Sequence, residues 1–237
     1  SIEHMEFTFG IITSPKTETF VSEIIKTIRN QNIEFYEIII VGGSNIEYGS
    51  DTKVVPFSEN EKNNWITRKK NLITSMSQFE NIVYMHDYVS LDKSWYAGFI
   101  KYGNDFEVLM NRVKNLDNKR YHDWLLWKNN NSNIDKFLND TKKLLLPYWV
   151  KSLSKYMYIS GAYWVAKRSF MIQNPLDEEL AWGESEDVEW SKRVRKKTVF
   201  KFNKYSTVKF LKFKDLKWRK LDLISFLLVK LKLSKIS

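Results

Sequence analysis

The chain contains no cysteine. Disulfides, thiolate metal sites and cysteine nucleophiles are thereby excluded, and a reducing, cytoplasmic location is the expectation. There is no Gly/Ser-rich linker, no low-complexity tract and no internal repeat, which sets aside solenoids and wholesale disorder. No run reaches the roughly 18 apolar residues of a membrane span. Neither a GxGxxG nor a GxxxxGKS/T pattern occurs, so hydride transfer on a dinucleotide site and P-loop hydrolysis both lack support. The opening Ser1-Ile2-Glu3-His4-Met5 has no basic region followed by an apolar one. It does not read as a signal peptide, and residues 1–4 read as an expression-tag remnant.

What is present suits one packed domain. Of 237 residues, 43% are hydrophobic and 15% aromatic, enough for a sizeable core. The net charge of +10 is unevenly placed. Residues 191–237 carry 16 Lys and Arg against Asp215 and Asp222 alone, while the rest carries 22 basic and 26 acidic side chains. A mildly acidic body with a basic tail points to a docking tail rather than to a nucleic-acid-binding domain.

The first half alternates two periodicities. Phe7-Thr8-Phe9-Gly10-Ile11-Ile12 is short, apolar and β-branched, as a buried strand is. Phe20, Val21, Ile24, Ile25 and Ile28 then share one helix face, with Glu18 near its N-terminus. Glu37 to Val41 predicts a strand, and the Pro-bearing Val54 to Phe57 an edge strand at best. Trp65, Ile66, Lys69, Leu72, Ile73 and Met76 predict a second helix, and Ile82 to Met85 a strand. Strand–helix–strand alternation predicts an α/β fold with a mostly parallel sheet flanked by helices. In such sheets ligands sit beyond the C-terminal strand ends. The polar residues there are Thr13-Ser14, Gly42-Gly43-Ser44 and His86-Asp87, which should converge on one crevice.

The second half is less regular. Residues 92–102 and 185–197 read as helices. Residues 106–113, 158–165 and 198–202 read as strands. The stretch 114–155 reads as loop with one or two helices.

Four motifs carry chemistry. Gly42-Gly43 permits a sharp turn and close backbone approach to a ligand. Arg68-Lys69-Lys70-Asn71 puts cations on a helix near the strand ends, where they can pair with a diphosphate. His86-Asp87-Tyr88 ends a strand on a carboxylate, a ligand type suited to Mg²⁺ or Mn²⁺. Trp182-Gly183-Glu184-Ser185-Glu186-Asp187-Val188-Glu189-Trp190 crowds four carboxylates. Their mutual repulsion raises at least one pKa toward that of a general base.

In order and spacing these motifs resemble those of the bacterial family 2 glycosyltransferases, over about residues 5–200. The resemblance implies a GT-A (Rossmann-like) fold in a domain of residues 5–208, with a nucleotide-binding half at 5–90 and an acceptor half at 91–208. It implies an inverting sugar transfer from a nucleoside-diphosphate sugar to a hydroxyl of a glycan or lipid-linked acceptor, in surface polysaccharide or glycoconjugate synthesis. Asp187 would be the base, with Glu186 the second candidate. Asp87 would hold Mg²⁺ or Mn²⁺ on the diphosphate. Thr13, Ser14, Gly42, Gly43, Ser44, Lys70, Asn71 and His86 would bind the donor. Tyr121, His122, Trp124, Trp182 and Glu184 would meet the acceptor. Two departures stand out: Tyr88 replaces a second acid, and no histidine follows His122 to supply a late metal ligand. A phosphate-only site is the alternative they leave open.

Residues 209–237 form the expected basic, amphipathic, helical tail. Lys209, Lys212, Lys214, Lys217, Arg219 and Lys220 flank Trp218 and the apolar Leu223 to Val229. Such a segment can lie in an anionic headgroup layer, which would seat the protein on the inner face of a membrane, or it can pack on the domain or on a second copy in a homodimer. The rival readings are a glycan-binding protein without activity and a nucleic-acid-binding protein. No nucleic-acid-binding signature supports the latter.

Overall fold

The computed structural model describes residues 4–127, 143–151, 157–215 and 219–220. The apolar run at the start forms strand β1 (Phe7–Ile12), buried along its whole length. A 3₁₀ turn at Glu18–Phe20 leads into helix α1 (Val21–Arg29), which buries Val21, Ile24, Ile25 and Ile28, the face set by helical spacing. Strands β2 (Tyr36–Val41) and β3 (Thr52–Val55), helix α2 (Ile66–Met76) and strand β4 (Asn81–His86) follow. Next come β5 (Val89–Leu91), α3 (Trp95–Tyr102) and β6 (Val108–Lys114).

The chain then enters short strands β7 (Leu125–Trp127), β8 (Lys143–Leu145) and β9 (Met157–Tyr158). It returns through β10 (Tyr163–Lys167), α4 (Arg168–Gln173), α5 (Glu186–Val194) and β11 (Lys201–Phe210), with β12 at Arg219–Lys220.

Eight strands form the main sheet in the order β3-β2-β1-β4-β10-β6-β11-β5. From β3 to β4 the pairing is parallel. β10 runs antiparallel between β4 and β6, and β11 lies parallel to β6. β3 is an edge, as its proline-bounded sequence predicts. Burial on both faces explains the unbroken apolar runs of β1 and β4. Phe7, Trp95 and Phe99 close one side with ring centroids 4.4 to 5.3 Å apart. Tyr84 stacks on Trp164 at 4.5 Å on the other. Each such buried side chain stabilises the fold by about 1.5–3 kcal/mol.

Three expectations are corrected. Within 114–155, the described residues hold strands β7 and β8 where loop was expected, in a small sheet ordered β12-β8-β7-β9, and residues 128–142 and 152–156 lie outside the described residues. Strands of three residues carry too little periodicity to read. The strand expected at 198–202 runs on to Phe210, through the 208/209 boundary drawn before the tail. The alternation there has a period of two, not 3.6: Val208 and Phe210 are buried, and Lys209 between them pairs with Ser90. The described start of the tail is therefore extended, not helical. Residues 216–218 and the apolar segment from Leu223 to Val229 lie outside the described residues. Among the described residues, no helix is long and apolar enough to cross a membrane.

Candidate active site

At the C-terminal ends of β1 and β4 the sheet opens into a crevice of about 680 Å³, part of it open solvent. Thr13 is its hinge. Its amide donates to the Val41 carbonyl at 3.0 Å. Its hydroxyl donates to Asp87 Oδ2 at 2.8 Å, and its carbonyl accepts from Lys69 Nζ at 2.8 Å. Thr17 donates to the same Asp87 oxygen at 2.6 Å and shares a 2.9 Å hydrogen bond with Ser14. Asp87, buried, is thus oriented by two hydroxyls from the loop after β1. Lys69 is also buried, and its charge is met by Glu59 at 2.5 Å.

His86 ends β4 with its Nε2 shielded from solvent and without a hydrogen-bond partner. Burial, then the charges of Lys70, Lys214, Lys212 and Lys69, holds its pKa well below the ordinary histidine range. It is a neutral imidazole at physiological pH.

The acidic cluster lies one strand away. Gly183 and Ser185 both take left-handed backbone, at φ 85° and 61°, which turns the chain sharply into α5. Glu184 Oε2 accepts the Ala181 amide across this turn. Asp187 Oδ2 accepts the Gly161 amide at 3.1 Å, while Lys70 Nζ donates to the Gly161 carbonyl at 2.8 Å. The next residue, Ala162, accepts the His86 amide at 3.0 Å. One hydrogen-bonded path therefore joins the Asp87 crevice to the Glu186-Asp187 pair.

Lys70 sits in this path fully buried, 4.7 Å from the Trp164 ring centroid. Burial lowers its pKa to about 8, against the pull of Glu186 and Asp187. Burial raises the Glu186 pKa, the Asp187 charge adds to this, and Lys70 opposes it. A carboxyl group whose pKa is raised beside a second carboxylate is an arrangement suited to proton transfer.

The crevice brings together Thr13, Ser14, His86, Asp87 and Trp182 of the sequence-predicted residues. Trp182 is 62% exposed and stands on its rim. Gly42, Gly43 and Ser44 are not on its wall. They form a turn tied down by Glu18, which accepts both the amide and the hydroxyl of Ser44 at 2.8 and 2.5 Å. Gly42 (φ 92°) is required there, because a Cβ would stand 2.2 Å from the Thr13 carbonyl oxygen.

Asn71, expected near the donor, turns away. Its amide grips the Leu176 backbone at 2.9 and 3.0 Å. Trp124, expected at the acceptor, is buried with its indole N–H on the Val150 carbonyl. Tyr121 is buried too, stacked on His122 at 4.2 Å and set edgewise to Phe210. Aromatic content in this stretch serves packing.

Four crevice residues escaped sequence reading: Thr17, Asn64, Lys212 and Lys214. The two last are 4.3 and 5.0 Å from the Tyr88 ring centroid. The alternation of basic and apolar residues, from Val208 to Phe210 and, one position out of phase, from Leu211 to Lys214, was their signal.

The expected Mg²⁺ or Mn²⁺ does not fit these residues. Asp87 is the one carboxylate on the wall among the described residues, and one of its oxygens already accepts two hydroxyls. No three His, Asp or Glu side chains among the described residues are grouped to hold a metal ion. Lys212 and Lys214 add positive charge that opposes a metal cation.

No protein-family model and no curated protein matches the chain. Solved structures do. The structure of GalNAc-T7 with UDP, GalNAc and Mn²⁺ aligns at TM-score 0.63 and 12% identity, over 92% of this chain and 46% of that one. Residues 1–349 of TarS from S. aureus, in complex with UDP-GlcNAc, align at TM-score 0.59 and 13% identity, over 90% and 60%. The chain thus spans less than two thirds of either. At such identities the likeness is one of fold: this chain has a glycosyltransferase fold of the GT-A kind.

Proposed function

We propose that this chain transfers a sugar from a nucleoside-diphosphate sugar to a hydroxyl acceptor, with inversion at the anomeric carbon. The observation that supports the reading is the Gly161 bridge: Asp187 accepts the Gly161 amide, and the carbonyl of the next residue, Ala162, accepts the amide of His86, the neighbour of Asp87. Thr13, Ser14 and Asp87 would line the donor. Gly42, Gly43 and Ser44 would act indirectly, by shaping the strand end behind Thr13. Trp182 would cover a sugar ring. Asp187 would accept the proton of the acceptor hydroxyl as that oxygen bonds to the anomeric carbon and the bond to the diphosphate breaks. The nucleoside diphosphate would leave with the bonding electron pair. The raised pKa of Glu186 makes it the second candidate for the base. The acceptor we infer is a glycan or a lipid-linked sugar, and the basic residues beyond 215 support peripheral contact with an anionic membrane.

A thermal-shift panel of UDP, GDP, CDP and dTDP, followed by transfer assays with the sugar nucleotide of the base that binds, tests this. Stabilisation by one diphosphate, and release of it on turnover, is the expected result. Silence from all four would replace the transferase with a binding protein.

A further inference from the structure

We propose that Lys212 and Lys214 bind the diphosphate of the donor directly, and that donor binding here needs no divalent cation. This rests on the transferase reading above. A sugar-linked diphosphate carries two negative charges, and two ammonium groups on the crevice wall match them.

The placement is built into the backbone. Leu211 donates its amide to the Tyr88 carbonyl at 2.8 Å, which sets the segment after β11 beside His86-Asp87-Tyr88. Asn115, wholly buried, then clamps residue 214 from both sides. Its Nδ2 donates to the Lys214 carbonyl at 2.7 Å, and its Oδ1 accepts the Lys214 amide at 3.0 Å. Both ammonium groups rest over the ring of Tyr88, the residue that stands where a second metal-binding acid would be. The same chain position that removes a metal ligand thus seats two cations. Burial and the Lys212 charge weaken the hold of Lys214 on its proton, and an arriving diphosphate relieves that repulsion. His86, kept neutral by its burial and then by the surrounding lysines, adds no positive charge to the pair.

The experiment is calorimetric titration of the full chain with the nucleoside diphosphate selected by the panel, in EDTA and again in Mn²⁺, alongside the parent nucleoside and inorganic pyrophosphate. The wild type should bind the diphosphate in EDTA within about threefold of its affinity in Mn²⁺. Lys212→Ala/Lys214→Ala should lose about 100-fold for the diphosphate, at roughly tenfold per charge-assisted contact. Its nucleoside affinity should be unchanged, and Lys212→Arg/Lys214→Arg should restore binding. Unaltered melting of the Ala variant, or of Lys212→Gln/Lys214→Gln in its place, shows that the fold is intact. Diphosphate binding that needs Mn²⁺, or that survives in the Ala variant, would overturn this proposal while leaving the transferase standing. Failure of every nucleotide to bind the wild type in either buffer would overturn both.

Discussion

Lys70 and Asp187 hold opposite ends of one residue: Lys70 donates to the carbonyl of Gly161 and Asp187 accepts from its amide. The two ionic side chains come from different helices, and both carboxylates of the acidic pair raise the Lys70 pKa against its burial. The strand that returns antiparallel to β4 is pinned at this point.

Lys70 makes stability depend on alkaline pH. Its folded pKa, about 8, lies below the ordinary 10.5. The unfolded chain therefore binds the extra proton between those values, and unfolding free energy rises with pH across that window. Relative to Lys70→Met, the wild type should gain on the order of 3 kcal/mol from pH 8 to 10.5. Urea unfolding of both proteins at several pH values reads this directly. A constant difference would mean that Lys70 does not change its charge on folding.

The base is distinguished by kinetics. Asp187→Asn should lower kcat by about 100-fold or more, with donor affinity kept, because Asn can still accept the Gly161 amide. Glu186→Gln should retain more activity, and the acid limb of the pH profile should move. If Glu186→Gln is the deader of the two, the roles are exchanged.

Gly42→Ala and Gly183→Ala separate collision from backbone strain. Both glycines have positive φ, but a Cβ at Gly42 would strike the Thr13 carbonyl oxygen whereas at Gly183 it meets nothing within 4 Å. Gly183→Ala should cost about 1 kcal/mol of strain, and Gly42→Ala at least about 2 kcal/mol more. Because Thr13 orients Asp87, Gly42→Ala should also weaken nucleotide binding. Chemical denaturation and the thermal-shift panel measure the two effects.

Trp182 and Trp124 should part in the same way. Trp182→Ala, on the exposed rim, should leave stability within about 0.5 kcal/mol and raise the KM for a sugar substrate. Trp124→Ala removes a buried ring and an indole hydrogen bond, and should cost about 3–5 kcal/mol. A Trp182→Ala protein with unchanged kinetics would remove Trp182 from the site.

Much of the sheet was legible because its signals are local. The apolar run of β1, the helical spacing of α1 and the carboxylate that ends β4 can each be read within ten residues. The meeting of Thr13 with Asp87 was legible as well, since polar strand ends in a parallel sheet converge. Asn71 shows where such reading stops. Its neighbours on α2 face the site, yet its own amide is captured by Leu176, a residue that no local pattern joins to it. Lys212 and Lys214 were read as docking charge because composition records how many lysines a segment holds, not where its backbone is anchored.

The sequence by itself determined the alternation of strands and helices, the polar strand ends and the order of the motifs. Hydrophobic periodicity acts over one or two turns of chain and needs no knowledge of distant partners. Only the tertiary structure decided that a buried Asn115 turns the basic segment onto the crevice, that Tyr88 carries two cations, and that Lys70 loses most of its hydration beside Glu186. Those outcomes depend on desolvation and on contacts between residues far apart in sequence. Both are set by packing the whole domain at once.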